Sequence, residues 1–303
     1  MPQTNNSIEE QPWSGKTDGT KSMQQMLIKL FRYIDVRCLY AIMAVVIIFY
    51  MLFRRQGYLA QYHFFRLHLN QNPIKAFVNV YRNHFQFGQV VLDRFASYAG
   101  KRYKLVFDNE NLFHHYKADG KGLFILFSHL GNFEIAGYGL QAPKPMHIVA
   151  FGGDTETVME NRYKMLCPNN IDIIPIANDL THIFRINTAL QKAEIVCMAG
   201  DRRMSKQRSV ACNVLGKTAL LPEGPFRIAA TQKTHTLTIF VMKEKWDTYR
   251  IYQKEIHINP ELPRADLEKS IEQQYVKHLE DMIHLYPLQW YHYFDFWNEP
   301  QNS

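Results

Sequence analysis

Little in this chain serves redox, metal or nucleotide chemistry. Its 303 residues include only four cysteines, Cys38, Cys167, Cys197 and Cys212, with no C-x-x-C pair among them. They read as reduced, mostly buried thiols of a cytosol-facing protein. His114, His115, His257, His278, His284 and His292 form no H-E-x-x-H or other zinc spacing, so no metal is expected. Ala211 stands where a Walker A loop ending at Gly216-Lys217-Thr218 needs its first glycine, and Ile125 replaces the last glycine of a dinucleotide fingerprint begun at Gly120. No G-x-S-x-G elbow is present, which argues against a serine hydrolase of the α/β type. Acidic residues are outnumbered 28 to 35, giving a net charge of +7, yet no helix-turn-helix, zinc-finger or RNP pattern accompanies the excess. Nucleic acid is therefore not expected, and an anionic partner such as phospholipid head groups fits the charge better.

Hydrophobic residues make up 47% of the chain, enough for one full core, and aromatics reach 14%. Residues 1–22 are polar and read as a disordered tail. Residues 23–56 form a membrane anchor region around the uncharged run Cys38 to Phe53, bracketed by Arg32, Arg37, Arg54 and Arg55. That run is about 16 residues, or roughly 24 Å as a helix, just short of a ~30 Å hydrocarbon core. It is compatible with a transmembrane span whose arginines snorkel, or with an anchor embedded in one leaflet. Basic residues at both ends leave its orientation open. No small-residue cleavage site follows it, so it is not a cleavable signal.

Residues 57–118 are helical in pattern, with Phe, Leu, Val and Tyr recurring every three or four positions. From 119 onward strand-like and helix-like segments alternate. Strands are expected at Gly122–Phe127, Ile171–Ile176 and Ile195–Met198, with a strand pair at His235–Lys243 and Thr248–Tyr252. Helices are expected at Phe133–Leu140, Thr181–Lys192, Pro225–Lys233 and Arg264–Leu285. The expected fold is α/β: a mixed, largely parallel sheet flanked by helices, preceded by the hydrophobic anchor helix and a helical segment.

The most informative stretch follows the first strand: Ser128-His129-Leu130-Gly131-Asn132-Phe133-Glu134. On a regular helix the His129 and Glu134 side chains would point about 140° apart. They meet only if the chain turns between them, and Gly131-Asn132 is turn-prone. The pattern predicts a strand, an exposed histidine, then a helix whose first turn carries Glu134. Such a carboxylate would orient one ring nitrogen and leave the other to take a proton from a hydroxyl. Ser128 is discounted as a nucleophile because neighbours along a strand point to opposite faces.

His129-Leu-Gly-Asn-Phe-Glu134 resembles the first signature of the lysolipid acyltransferase superfamily. Within it, the chain looks most like the late acyltransferases of lipid A biosynthesis and their relatives in aryl-polyene lipid clusters. Further blocks occur in the family's order: Asn161-Arg162, Gly200-Asp201-Arg202, Gly216-Lys217-Thr218-Ala219, Pro222-Glu223-Gly224-Pro225-Phe226, and Tyr286-Pro287-Leu288-Gln289-Trp290. The resemblance covers roughly residues 35 to 297. Phe133 stands where such proteins usually carry tryptophan.

The resemblance implies a membrane-associated O-acyltransferase of the bacterial cytoplasmic (inner) membrane, its catalytic domain facing the cytoplasm. It would move a fatty acyl chain from an acyl-carrier-protein thioester to a hydroxyl of a lipid or glycolipid, such as a lipid A precursor. A thioester is already activated, so no cofactor is expected. His129 is the expected general base and Glu134 its orienting partner. Asn132, Arg162, Asp201, Arg202, Lys217, Glu223 and Gly224 are expected to bind substrate. Oxyanion donors would be backbone N–H groups near Gly131-Asn132, or Arg162. Two alternatives stay open: an aryl-polyene or other lipid acceptor served by the same chemistry, or a non-catalytic lipid-binding protein on the same scaffold.

Overall fold

The structure is a computed structural model. It describes residues 21–297 apart from position 54 and short segments at 109–111, 113–114, 117–119, 141, 152–155, 177–178 and 204–206. Most of the expected polar tail lies outside the described residues. The N-terminal part is helical: α1 (Lys21–Leu30), α2 (Val36–Phe53), α3 (Arg55–His63), a π-helical turn (Phe64–His68) and α4 (Pro73–Tyr98). The α4 start carries two sequence signals, Pro73 at its first position and Asn72 as N-cap, whose side chain accepts from the Lys75 N–H at 2.8 Å.

After α4 the expected helix gives way to a strand, β1 (Lys104–Phe107). It then continues through β2 (Leu123–Gly131), α5 (Phe133–Gly139), β3 (Met146–Phe151), α6 (Glu156–Leu166), β4 (Ile171–Ile176), α7 (Thr181–Gln191) and β5 (Ile195–Ala199). A hairpin follows, β6 (Ser209–Val214) and β7 (Lys217–Pro222), then α8 (Glu223–Gln232), β8 (His235–Lys245), β9 (Thr248–Ile256) and α9 (Arg264–Leu285). The main sheet has seven strands in the order β1-β9-β8-β2-β5-β3-β4. Only β8 and β9 pair antiparallel in it; every other neighbouring pair is parallel. This is the mixed, largely parallel α/β sheet that alternating strands and helices imply.

Strand periodicity divides the core between the two faces of this sheet. Phe124 and Leu126 join one cluster with residues of α8 and α9, including Phe226, Tyr275 and Leu279. Leu123 and Ile125 join the other, with Ile135 and Tyr138 of α5 and Leu166 of α6. A strand covered on both faces is apolar at every position, so β2 reads as an unbroken run, not an alternation. Two of the four thiols, Cys197 and Cys212, are buried as expected; Cys38 and Cys167 are exposed, against the expectation of mostly buried cysteines.

Candidate active site

The parallel register of β2 and β5 sets Phe127 opposite Ala199. Two residues beyond each stand His129, still within the last residues of β2 although the strand was expected to end at Phe127, and Asp201, just past the end of β5. Asp201 accepts from the His129 backbone N–H at 2.7 Å and pairs with ring Nδ1 at 2.8 Å. The aspartate side chain is 3% exposed and the histidine 35%, so the carboxylate is sealed while the ring reaches solvent. A carboxylate on Nδ1–H selects the tautomer in which Nε2 is the free, proton-accepting nitrogen. Burial alone would push the Asp201 carboxyl up, but the charge and two hydrogen bonds of His129, with Arg202 beyond, hold it below the ordinary carboxylate value.

Glu134 does not take the place expected for it. The chain turns at Gly131-Asn132 and α5 begins at Phe133, with Phe133 stacking on Phe127 at a centroid distance of 4.1 Å. In the first turn of α5, Glu134 pairs with Arg162 of α6 at 2.5 Å and accepts from Tyr138, one turn on, at 2.6 Å. Arg94 of α4 lies 3.7 Å from the same carboxylate. The orienting partner of His129 is therefore Asp201, which had been expected to bind substrate, and both its oxygens are committed to the histidine. Glu134 instead anchors two arginines beside the histidine loop, leaving a local net charge of +1.

Burial would raise the Glu134 carboxyl, but Arg162 and Arg94, with the Tyr138 and Arg162 hydrogen bonds, hold it down to about 2. Because the folded value lies below the ordinary 4.5, ionised Glu134 stabilises the fold above about pH 4.5. That contribution, on the order of 3 kcal/mol, is lost as pH falls toward 2. Acid unfolding of Glu134→Gln is expected to lack this component, so its stability should fall less steeply between pH 4.5 and 2 than the wild type's. Parallel curves would refute the assignment.

Gly131 is fixed by two constraints. Its φ is +78°, and a Cβ there would lie 2.2 Å from the Val241 carbonyl and 2.8 Å from Met242 Sδ. Asn132 N–H donates to that same carbonyl at 2.7 Å, so the histidine loop sits directly on β8. Gly131→Ala is expected to displace the loop and lower turnover at this site by at least about tenfold, since misplacing reacting groups by about 1 Å costs up to about 10²-fold. Steady-state kinetics alongside a thermal melt would check this, and unchanged kinetics would count against it.

Of the other expected substrate-binding residues, Asn132 is buried and its side chain donates to Tyr249 at 3.4 Å. Arg162 is buried against Glu134, and Arg202 follows Asp201 with its guanidinium 5.6 Å from the Phe294 ring. Lys217, Glu223 and Gly224 stand apart. Lys217 is an exposed residue at the start of β7, and Glu223 pairs with Arg227 one helical turn on at 2.9 Å. Gly224 is exposed, and its nearest neighbour to an added Cβ is Met198 at 4.0 Å, so neither space nor backbone requires glycine there. Among the described residues no hydrogen bond or ion pair joins these three to His129, Asp201 or Glu134.

Arg94, Tyr98 and Tyr138 were not anticipated as site residues. Tyr138 was within reach of sequence reasoning, since i and i+4 residues share a helix face. Tyr98, which meets Tyr138 hydroxyl to hydroxyl at 3.1 Å, carried no such signal. The C-terminal block acts as a clamp: Gln289 accepts from the Lys243 N–H at 2.9 Å and donates to its carbonyl at 2.8 Å. Trp290 then bridges Leu130, and the Tyr291 N–H donates to the His129 carbonyl at 3.3 Å.

An α/β sheet carrying a carboxylate-held histidine at its strand ends, with two arginines and an anchored loop beside it, is a framework for acyl transfer. The model of the family described as bacterial lipid A biosynthesis acyltransferase matches residues 73–298, and the chain belongs to that family. It is an acyltransferase acting on lipids. Among solved structures it is similar to the 1-acyl-sn-glycerophosphate acyltransferase PlsC from Thermotoga maritima, with 11% identity and a TM-score of 0.34 over 81% of this chain and 98% of that one. No curated protein matches.

Proposed function

We propose that the protein transfers a fatty acyl chain from an acyl-carrier-protein thioester to a hydroxyl of a membrane lipid or glycolipid, a lipid A precursor being the acceptor that the family favours. The observation that carries this reading is the His129–Asp201 pair, a half-buried imidazole whose sealed partner leaves Nε2 as the base. Nε2 takes the proton of the acceptor hydroxyl as its oxygen attacks the thioester carbonyl; collapse of the tetrahedral intermediate expels the thiolate, which recovers the proton from the imidazolium. The charge that develops on the carbonyl oxygen needs donors nearby. Arg162, held by Glu134, is the group the site offers, since the Asn132 N–H is already committed to the Val241 carbonyl. The same net positive charge suits a phosphorylated head group or the acidic surface of a carrier protein. The inner membrane, with the catalytic domain on the cytoplasmic side, is the compartment this donor requires.

The test is acyl transfer by purified protein from labelled acyl-carrier protein to a panel of lipid A precursor, lysophospholipid and aryl-polyene-type acceptors. Label in one acceptor with the wild type, absent with His129→Ala, would establish reaction and substrate class together. Thioester hydrolysis that depends on His129, without transfer, would keep the chemistry and replace the acceptor. Neither transfer nor hydrolysis would overturn the reading.

A further inference from the structure

The apolar helix α2 is the one described helix long and apolar enough to cross a membrane, but it does not stand free of the domain. It runs antiparallel along α4. Val36, Leu39 and Tyr40 pack with Leu92 and Ala96, and the Tyr40 hydroxyl donates to Asp93. Met43 and Ile47 close on Gly88, where a Cβ would meet Met43 Cγ at 2.8 Å. The Ala44 carbonyl accepts from Tyr81 at 2.9 Å, and the Tyr50 and His84 rings lie 6.1 Å apart. These α2 contacts recur every three to four residues and define one face.

α4 is in turn locked into the catalytic domain. Asp93 pairs with Lys243 of β8, and Asn83 donates to the Leu288 and Trp290 carbonyls at 3.1 and 3.0 Å. Arg94 reaches Glu134. A perpendicular α2 would therefore drag α4, with Asn79, Asn83, His84 and Asp93, and the end of the sheet into hydrocarbon, where polar and ionised groups are strongly disfavoured.

The opposite face of α2 has no cover among the described residues. Ile42, Val45, Val46, Phe49, Leu52 and Phe53 are each between 47% and 83% exposed, and their spacing traces a single stripe. The antiparallel register brings the α2 end toward the α4 start, where Ile74 and Phe77 are also exposed and Phe77 meets Tyr58 edge-on. Exposed Arg32 and Arg37 lie at one end of α2, and Arg55 and Lys75 at the other. Cations at both ends suit a helix whose two termini lie at the same head-group level.

We propose that α2 is an in-plane anchor: it lies along one leaflet of an anionic phospholipid bilayer, apolar stripe inward, and both its ends remain on the same side of the membrane. The proposal rests on the reading of the protein as an enzyme of membrane lipids and fixes how it meets them.

The test uses the full chain with Cys38 and Cys167 replaced by serine, carrying Arg32→Cys or Gln56→Cys, in inverted inner-membrane vesicles of uniform orientation. A membrane-impermeant maleimide is expected to label both positions alike before permeabilisation. Labelling of one and protection of the other would overturn the proposal in favour of a span. In parallel, Val45→Glu/Phe49→Glu is expected to lower flotation with phosphatidylethanolamine–phosphatidylglycerol vesicles by roughly tenfold or more, with a melting temperature near the wild type's. Flotation undiminished in that variant would overturn it. So would a wild-type protein that stays with the aqueous phase as a dimer covering the stripe. That last result would also remove the membrane from the proposed function, whereas the labelling result would leave it standing.

Discussion

Asp201→Asn is expected to lower acyl transfer by about 10²-fold or more with little change in fold. The carboxylate does two things for His129: it holds the loop through the backbone N–H and selects the Nδ1-protonated tautomer. Asparagine can keep the first contact through its carbonyl oxygen. Its amide nitrogen then faces Nδ1 as a donor, which favours the tautomer protonated at Nε2 and removes the base from the side that meets substrate. His129→Ala should lose a similar factor, and the double variant should be little worse than either, because the pair acts as one unit. Glu134→Gln separates this account from the sequence-based pairing of His129 with Glu134. Transfer undiminished in Asp201→Asn but lost in Glu134→Gln would return the orienting role to Glu134.

The difference between those two carboxylates shows what a single sequence carries. The break at Gly131-Asn132 and the helix start at Phe133 follow from turn chemistry, and both are present. The same reasoning established that His129 and Glu134 could meet only through a turn; it could not establish that they do. Asp201 was visible as an acid just after a strand. Its pairing with a histidine 72 residues earlier depends on β2 and β5 being parallel neighbours in one register, a tertiary fact with no local signature. The edge strand Lys104–Phe107 was missed for the same reason. It has four residues, its partner in β9 is far along the chain, and the helical periodicity of the preceding segment runs up to it. Long amphipathic or doubly covered elements, such as Arg264–Leu285 and β2, announce themselves because their apolar pattern is set by contacts along their whole length.

Asp93→Ala is expected to cost about 3–5 kcal/mol, a large share of the roughly 5–15 kcal/mol that holds a typical domain together. Asp93 is fully buried, and four elements outside α4 donate to it: Tyr40 from α2, Tyr103 from the segment before β1 at 2.8 Å, Tyr249 from β9, and Lys243 from β8. Truncation removes the shared acceptor of three phenol hydroxyls and of an ammonium whose side chain is 7% exposed. Burial already pulls the Lys243 pKa down while Asp93 pulls it up, leaving it below the ordinary lysine value. Without Asp93, burial is opposed by less and the Lys243 pKa should fall further, which limits the penalty of the buried charge. Adding Lys243→Met to Asp93→Ala should therefore recover part of the loss, whereas independent sites would add. Urea midpoints of the two single variants and the double would measure the coupling. Additive losses, or an Asp93→Ala midpoint close to the wild type's, would mean that the hub adds little to stability. The same variants carry information about the site, because Tyr249 also accepts from Asn132 of the histidine loop. A hub that joins α2, β8, β9 and that loop through one carboxylate should lose transfer activity at urea concentrations below those that unfold the sheet.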